Sequence, residues 1–211
     1  MTTAVARRDR IELVATLLLA VATVATAWSG YQSTRWNGEQ AKAGGRANAL
    51  RIESAKAAGL ANTQSEVDVA SFTQWVNAYT LKQAALADFY FKRFRPEFLP
   101  AVNAWVATRP LKDPAAPPTP FVMPQYKLAA HAESERLDAQ AAAFSAQVAR
   151  NIQRASNYVL GVVLFASALF FAGMSTKLTS PRLRVAMLCI GCAIFLFTAL
   201  WIGTSPVSLE V

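Results

Sequence analysis

The sequence predicts an all-α membrane protein: three transmembrane helices, with an external helical hairpin or bundle domain continuous with the first two. Three observations carry this. Apolar residues make up 54% of the chain and charged residues only 16%, which lies on the membrane side of the usual range. Three apolar stretches approach the roughly 20 residues that a helix needs to cross a hydrocarbon core about 30 Å thick. The first leaves its apolar run, and the second enters its own, through polar, alanine-rich sequence without a proline.

In chain order, residues 1–10 form a short basic end carrying Arg7, Arg8 and Arg10, and residues 11–28 form the first span, with Glu12 at its edge. Spans two and three cover 157–174 and 185–203 and contain no charged residue. Trp28, Tyr31, Tyr158 and Trp201 stand where aromatic side chains favour the membrane–water boundary. The 175–184 loop carries Lys177, Arg182 and Arg184, whereas the tail at 204–211 carries no cation. Short cationic flanks stay on the cytoplasmic side. This puts 1–10 and 175–184 in the cytoplasm, and 29–156 and the tail in the periplasm or outside the cell. A competing reading takes the arginine flank, the apolar run and Ala25-Thr26-Ala27 as a cleaved signal peptide. The run is longer than the usual core of roughly 7 to 15 residues, and the helical pattern continues past the cut.

Between residues 29 and 156, fifteen lysines and arginines alternate with ten acids, the pattern of solvated helix faces rather than of a nucleic-acid footprint. Trp36, Ala43, Leu50 and Ala57 recur every seven residues, a coiled-coil seam of mostly small side chains and the candidate surface for external association. Gly44-Gly45 within it marks close backbone approach, a bend, or a tolerated weak point. After a polar break expected at Asn62–Glu66, Val69, Phe72, Val76, Tyr79, Gln83, Leu86 and Tyr90 form an apolar face with Trp75 and Phe89 beside it. It reads as the core of a small helical domain ending near Lys92-Arg93-Phe94-Arg95. A short amphipathic piece at 100–107 follows. Six of the ten prolines fall between Pro110 and Pro124, so the loop at 108–125 is expected to run extended. Helix resumes near Gln125, with Leu137, Ala141, Phe144, Val148, Ile152 and Ala155 as its seam.

Residues that could carry chemistry are few. His131, the only histidine, shares a helix face with Glu135 alone, and two ligands from one helix make a poor metal site. Cys189 and Cys192 have redox spacing but lie inside the third span, where they read as small packing residues. No phosphate-binding glycine loop or nucleophile elbow occurs. Thr16, Ala20, Thr23 and Ala27 line one face of the first span, a small, weakly polar stripe suited to helix packing or to a pore wall. No span has a central ionisable residue, which speaks against a proton relay.

The runs Trp28-Ser-Gly-Tyr31-Gln32, Trp36-Asn-Gly-Glu-Gln40-Ala41, Phe72-Thr-Gln-Trp75-Val76 and Pro120-Phe121-Val-Met123-Pro124-Gln-Tyr126 together resemble a family of uncharacterised bacterial integral membrane proteins. The resemblance implies the same architecture and a bacterial source, and it supplies no catalytic residue. The expectation is a non-enzymatic inner-membrane protein that self-associates and acts through interaction, with a homo-oligomeric channel lined by the first span as the alternative. Membrane lipid and a further copy or another membrane protein are the expected partners. No nucleic acid, metal, cofactor or catalytic residue is expected. Intact mass of the purified protein tests the first span: retention gives the uncleaved chain, and a species beginning at Trp28 removes the three-span topology.

Overall fold

The structure of the chain, a computed structural model, describes residues 2–110 and 112–208, with backbone alone for residues 2–10. The side chains of Arg7, Arg8 and Arg10, Leu111 in the proline-rich loop, and Leu209, Glu210 and Val211 of the tail lie outside the described residues. Among the described residues five α-helices follow in order: α1 Thr2–Thr80, α2 Ala84–Phe91, α3 Leu99–Ala107, α4 Ala129–Lys177 and α5 Pro181–Gly203. Segments of α1, α4 and α5 (Ile11–Thr80, Ala129–Lys177 and Pro181–Gly203) are long and apolar enough to cross a membrane.

No break occurs at Asn62–Glu66. Thr63 turns its hydroxyl onto the Gly59 carbonyl at 3.1 Å, and Ala61 and Asp68 keep the buried face in phase on either side. Without proline or a pair of glycines there, polar composition alone does not stop a helix. α1 stops instead at Thr80, inside the segment expected to run unbroken to Lys92. Lys82 takes a left-handed backbone, φ 56°. The Gln83 N–H bonds the Ala78 carbonyl at 2.9 Å and the Lys82 N–H bonds that of Tyr79 at 3.1 Å, the Schellman arrangement that glycine usually completes. A lysine in that place hides the stop from the sequence. Helix resumes at Ala129 rather than Gln125, and a 3-10 turn at Pro120–Val122 interrupts the loop expected to be wholly extended.

The chain divides into two compact units, Met1–Gly45 with Phe144–Val211, and Arg46–Ala143. In the first, the buried positions of α1 include Ala15, Ala22, Ser29, Trp36 and Ala43, every seventh residue. Ala15 and Leu18 pack with Ala172 and Leu188, while Trp36 packs with Ala155, Tyr158, Phe165 and Ile202. Asn151, 1% exposed, takes the seam position expected for Ile152, which is 44% exposed. The backbones of α4 and α5 approach closely at Gly191, where an added Cβ would lie 3.2 Å from the Ala168 carbonyl oxygen and 3.3 Å from the Ala172 nitrogen.

Polar contacts fix both ends of this unit. At one, the largely buried Arg184 donates to Glu12 Oε1 at 3.0 Å and to the Ser175 carbonyl at 3.2 Å. At the other, residues of the expected external tail are docked. Gln32 exchanges two hydrogen bonds with the Ser208 backbone at 3.0 and 3.3 Å. Trp36 Nε1 and the Tyr158 hydroxyl donate to the Pro206 carbonyl at 3.2 and 3.1 Å, and the Arg154 guanidinium lies 4.5 Å from the centre of the Trp36 ring.

In the second unit α1 buries Ala47, Ser54, Ala61, Asp68 and Trp75, again every seventh residue. The Ser54 hydroxyl donates to the Ser134 carbonyl of α4 at 3.0 Å. The core gathers Phe72, Trp75, Phe94, Phe98, Val102 and Trp105. Phe98, fully buried, meets Phe94, Phe121 and Tyr126 at 5.2, 5.1 and 5.7 Å between ring centres. Truncating such a ring costs about 3–5 kcal/mol. Val69 and Tyr79 of the expected apolar face lie one residue past the buried stripe of Asp68, Phe72, Trp75 and Ala78 and are 47% and 54% exposed, and Leu86 and Phe89 are exposed beyond the stop at Thr80, which changes the helical phase.

The two glycine environments predict opposite stability effects. Nothing lies within 4 Å of a Cβ added at Gly45, so Gly45→Ala is expected to stabilise α1 by about 0.5–1 kcal/mol through helix propensity. Gly191→Val, which must displace α4 backbone, is expected to lower the melting temperature. Thermal unfolding followed by circular dichroism in detergent checks both, and a shift of the same sign in the two variants contradicts the packing described.

Candidate functional site

Thr16, Ala20, Thr23 and Ala27 are all exposed on a face of α1 that the rest of the membrane unit leaves open. The Thr16 and Thr23 hydroxyls donate to the Glu12 and Leu19 carbonyls at 2.8 and 2.7 Å. Leu13, Leu17, Val21 and Val24 are exposed beside them. The external seam is placed differently: Trp36 and Ala43 are buried within the chain and Leu50 and Ala57 are half-buried, so this seam is used in intrachain packing. Cys189 and Cys192 are free thiols. His131 Nδ1 and Glu135 Oε1 are 3.5 Å apart on side chains 66% and 72% exposed. Among the described residues, no three His, Cys, Asp or Glu side chains converge as a metal site.

The second unit contains a polar cluster that hydropathy does not reveal. Asp68 occupies a seam position of α1 and is fully buried. Arg95 Nη1 donates to its Oδ2 at 2.8 Å, and the Tyr126 hydroxyl lies 3.2 Å from the same oxygen and 3.3 Å from Ser65 Oγ. Arg95 also pairs with Glu97. One carboxylate thus joins α1, the segment between α2 and α3, and the approach to α4. Burial pushes the Asp68 carboxyl above its ordinary value of 3.8, with the Arg95 charge opposing it, and burial likewise raises Tyr126. The Arg95 and Tyr126 contacts converge on Asp68 Oδ2 and tie separate backbone segments together, while Oδ1 is buried without a hydrogen-bond partner among the described residues.

Beside the aromatic core lies a half-open cavity of about 290 Å³, between the last turns of α1 and α3 and the residues that follow α3. Its apolar wall includes Trp75, Tyr79, Trp105 and Val106, and its rim carries Arg109 and Lys112. Trp75 and Tyr79 stack at 5.4 Å with their planes 29° apart. The Trp105 indole N–H is committed to the Pro117 carbonyl at 2.7 Å, which ties the proline-rich loop to α3. Sequence reasoning treats the Trp75 and Tyr79 region as core without a convergent polar group. The cations that join it come from a separate segment beyond α3, and only the fold brings them there.

Comparison with family models, with curated proteins and with solved structures finds no match to this chain.

The raised carboxyl of Asp68 has a definite pH consequence. Its folded form holds a proton more tightly than its unfolded form, so its contribution to stability is fullest below about 3.8 and declines as pH rises through the folded value. Asp68→Asn removes that dependence. The deficit in melting temperature of this variant relative to wild type is expected to narrow from pH 4 to pH 7, and a deficit that widens contradicts the assignment.

Proposed function

We propose that this is a non-enzymatic protein of the bacterial inner membrane that acts by association, with copies meeting through the Thr16, Ala20, Thr23 and Ala27 face of α1. The observation that carries this reading is the exposure of all four small residues on a span face that the chain's own helices leave open. Where small side chains line a span, helix backbones approach closely and gain packing that lipid tails do not supply. The threonine hydroxyls are satisfied by their own helix, which favours a packing face over a wall that coordinates ions. In this reading residues 1–10 and 175–184 face the cytoplasm, supported by their basic character, and the Arg46–Ala143 unit lies in the periplasm or outside the cell as the part displayed to a partner.

Replacement by leucine separates a helix interface from a lipid-facing surface, because leucine suits lipid and obstructs close helix approach. Ala20→Leu/Ala27→Leu is expected to reduce crosslinked oligomer in native membranes at least fivefold while leaving monomer abundance unchanged. Equal crosslinking in variant and wild type removes this face from the assembly. Ion flux through liposomes containing wild type, abolished by Thr16→Trp, would favour the channel.

A further inference from the structure

The half-open cavity of the Arg46–Ala143 unit plays no part in the association just described. Its chemistry is asymmetric. Stacked Trp75 and Tyr79, together with Trp105 and Val106, supply flat apolar surface, the lining on which planar ligands gain most of their burial energy. The charged residues on its rim are both cations, Arg109 and Lys112, and no acid among the described residues lines it. Both side chains are exposed, and neither has a hydrogen-bond or ion-pair partner among the described residues.

Arg109 sits there on a left-handed backbone, φ 54°, immediately after the last turn of α3. A side chain in that region costs roughly 1–2 kcal/mol that glycine would not. The Arg109 N–H bonds the Val106 carbonyl at 3.0 Å, but Pro110 follows and has no N–H, so only one of the two closing bonds seen at Lys82 forms. The guanidinium nevertheless stands at the cavity rim, where its planar fork suits a carboxylate or similar oxyanion. Thr80 directs its hydroxyl to the Val76 and Asn77 carbonyls, and the Trp105 indole N–H is also committed. That leaves the Tyr79 hydroxyl, Arg109 and Lys112 as the groups that can meet a polar ligand end. At about 290 Å³ the space lies at the small end of ligand cavities, which suits one or two fused rings rather than a phospholipid.

The geometry points to a binding site for a small organic anion with a planar apolar body, its ring system against Trp75 and Trp105 and its acidic group at Arg109 and Lys112. Full-length protein in nanodiscs of neutral phosphatidylcholine, titrated calorimetrically with 2-naphthoate and with the uncharged 2-naphthamide, tests this directly. Naphthoate is expected to bind at least tenfold more tightly than the amide. Arg109→Gln/Lys112→Gln is expected to erase that advantage and leave amide affinity within twofold of wild type. Val106→Trp, at a position 43% exposed, is expected to weaken both probes at least tenfold by filling the cavity. Equal affinity of wild type for the two probes overturns the proposal, as does the absence of binding by both, or naphthoate binding that survives the Arg109/Lys112 and Val106 substitutions alike. Because the two charge substitutions lie at exposed positions, they keep the test decisive even if Val106→Trp does not fold.

Discussion

Side-chain size at every seventh position of α1 is the constraint on which the rest of the structure depends. In the membrane unit Ala15, Ala22, Ser29 and Ala43 occupy that seam, and alanine and serine let a neighbouring helix come close where leucine would hold it off. In the Arg46–Ala143 unit Ala47, Ser54 and Ala61 do the same. Hydrocarbon provides little drive for one apolar helix to leave lipid for another, so close packing carries much of the association. The same economy of size is seen at Gly191, where α5 meets α4 backbone.

Trp36 and Trp75 are the large apolar residues of the seam, and specific polar contacts fix pieces that its small positions do not. Arg184 with Glu12 and Ser175 fastens one end of the membrane unit, and Gln32 with Ser208 fastens the tail at the other. Asp68 with Arg95 and Tyr126 does so in the second unit. Each places a hydrogen-bonding or charged group where burial without a partner would cost several kcal/mol. Alternative registers that strand one of these groups are therefore penalised, which gives weakly apolar seams a defined alignment.

Much of the helical architecture was legible in the sequence, since long apolar runs and the absence of proline are strong signals. The Trp36 and Ala43 part of the seam was legible too, though as a surface for another copy rather than for the chain's own α4. What hydropathy conceals is polar. Asn151 takes the seam beside the more apolar Ile152, and Gln32 and Asp68 are buried, although hydropathy assigns such residues to water. Their burial depends on partners remote in sequence: Ser208 for Gln32, Arg95 and Tyr126 for Asp68. The stop at Thr80 was hidden for a different reason, since Lys82 adopts a conformation that glycine ordinarily signals. The cavity was legible only in half, its rings from helical spacing and its cations not at all.

The seam of α1 is not uniform, because the step from Ala43 to Ala47 is four residues instead of seven, so that Trp36 to Ala47 spans eleven. Eleven residues in three turns is about 3.67 per turn, close to the relaxed helix, whereas seven in two turns requires slight underwinding. The extra four residues fall around Gly44-Gly45, where the two compact units divide. Each unit thus keeps its own seven-residue track along α1. Deleting one residue inside either track would turn every later seam position of that unit about 100° off its buried face, so the spacing within each track is itself encoded information, held by count rather than by the identity of any side chain.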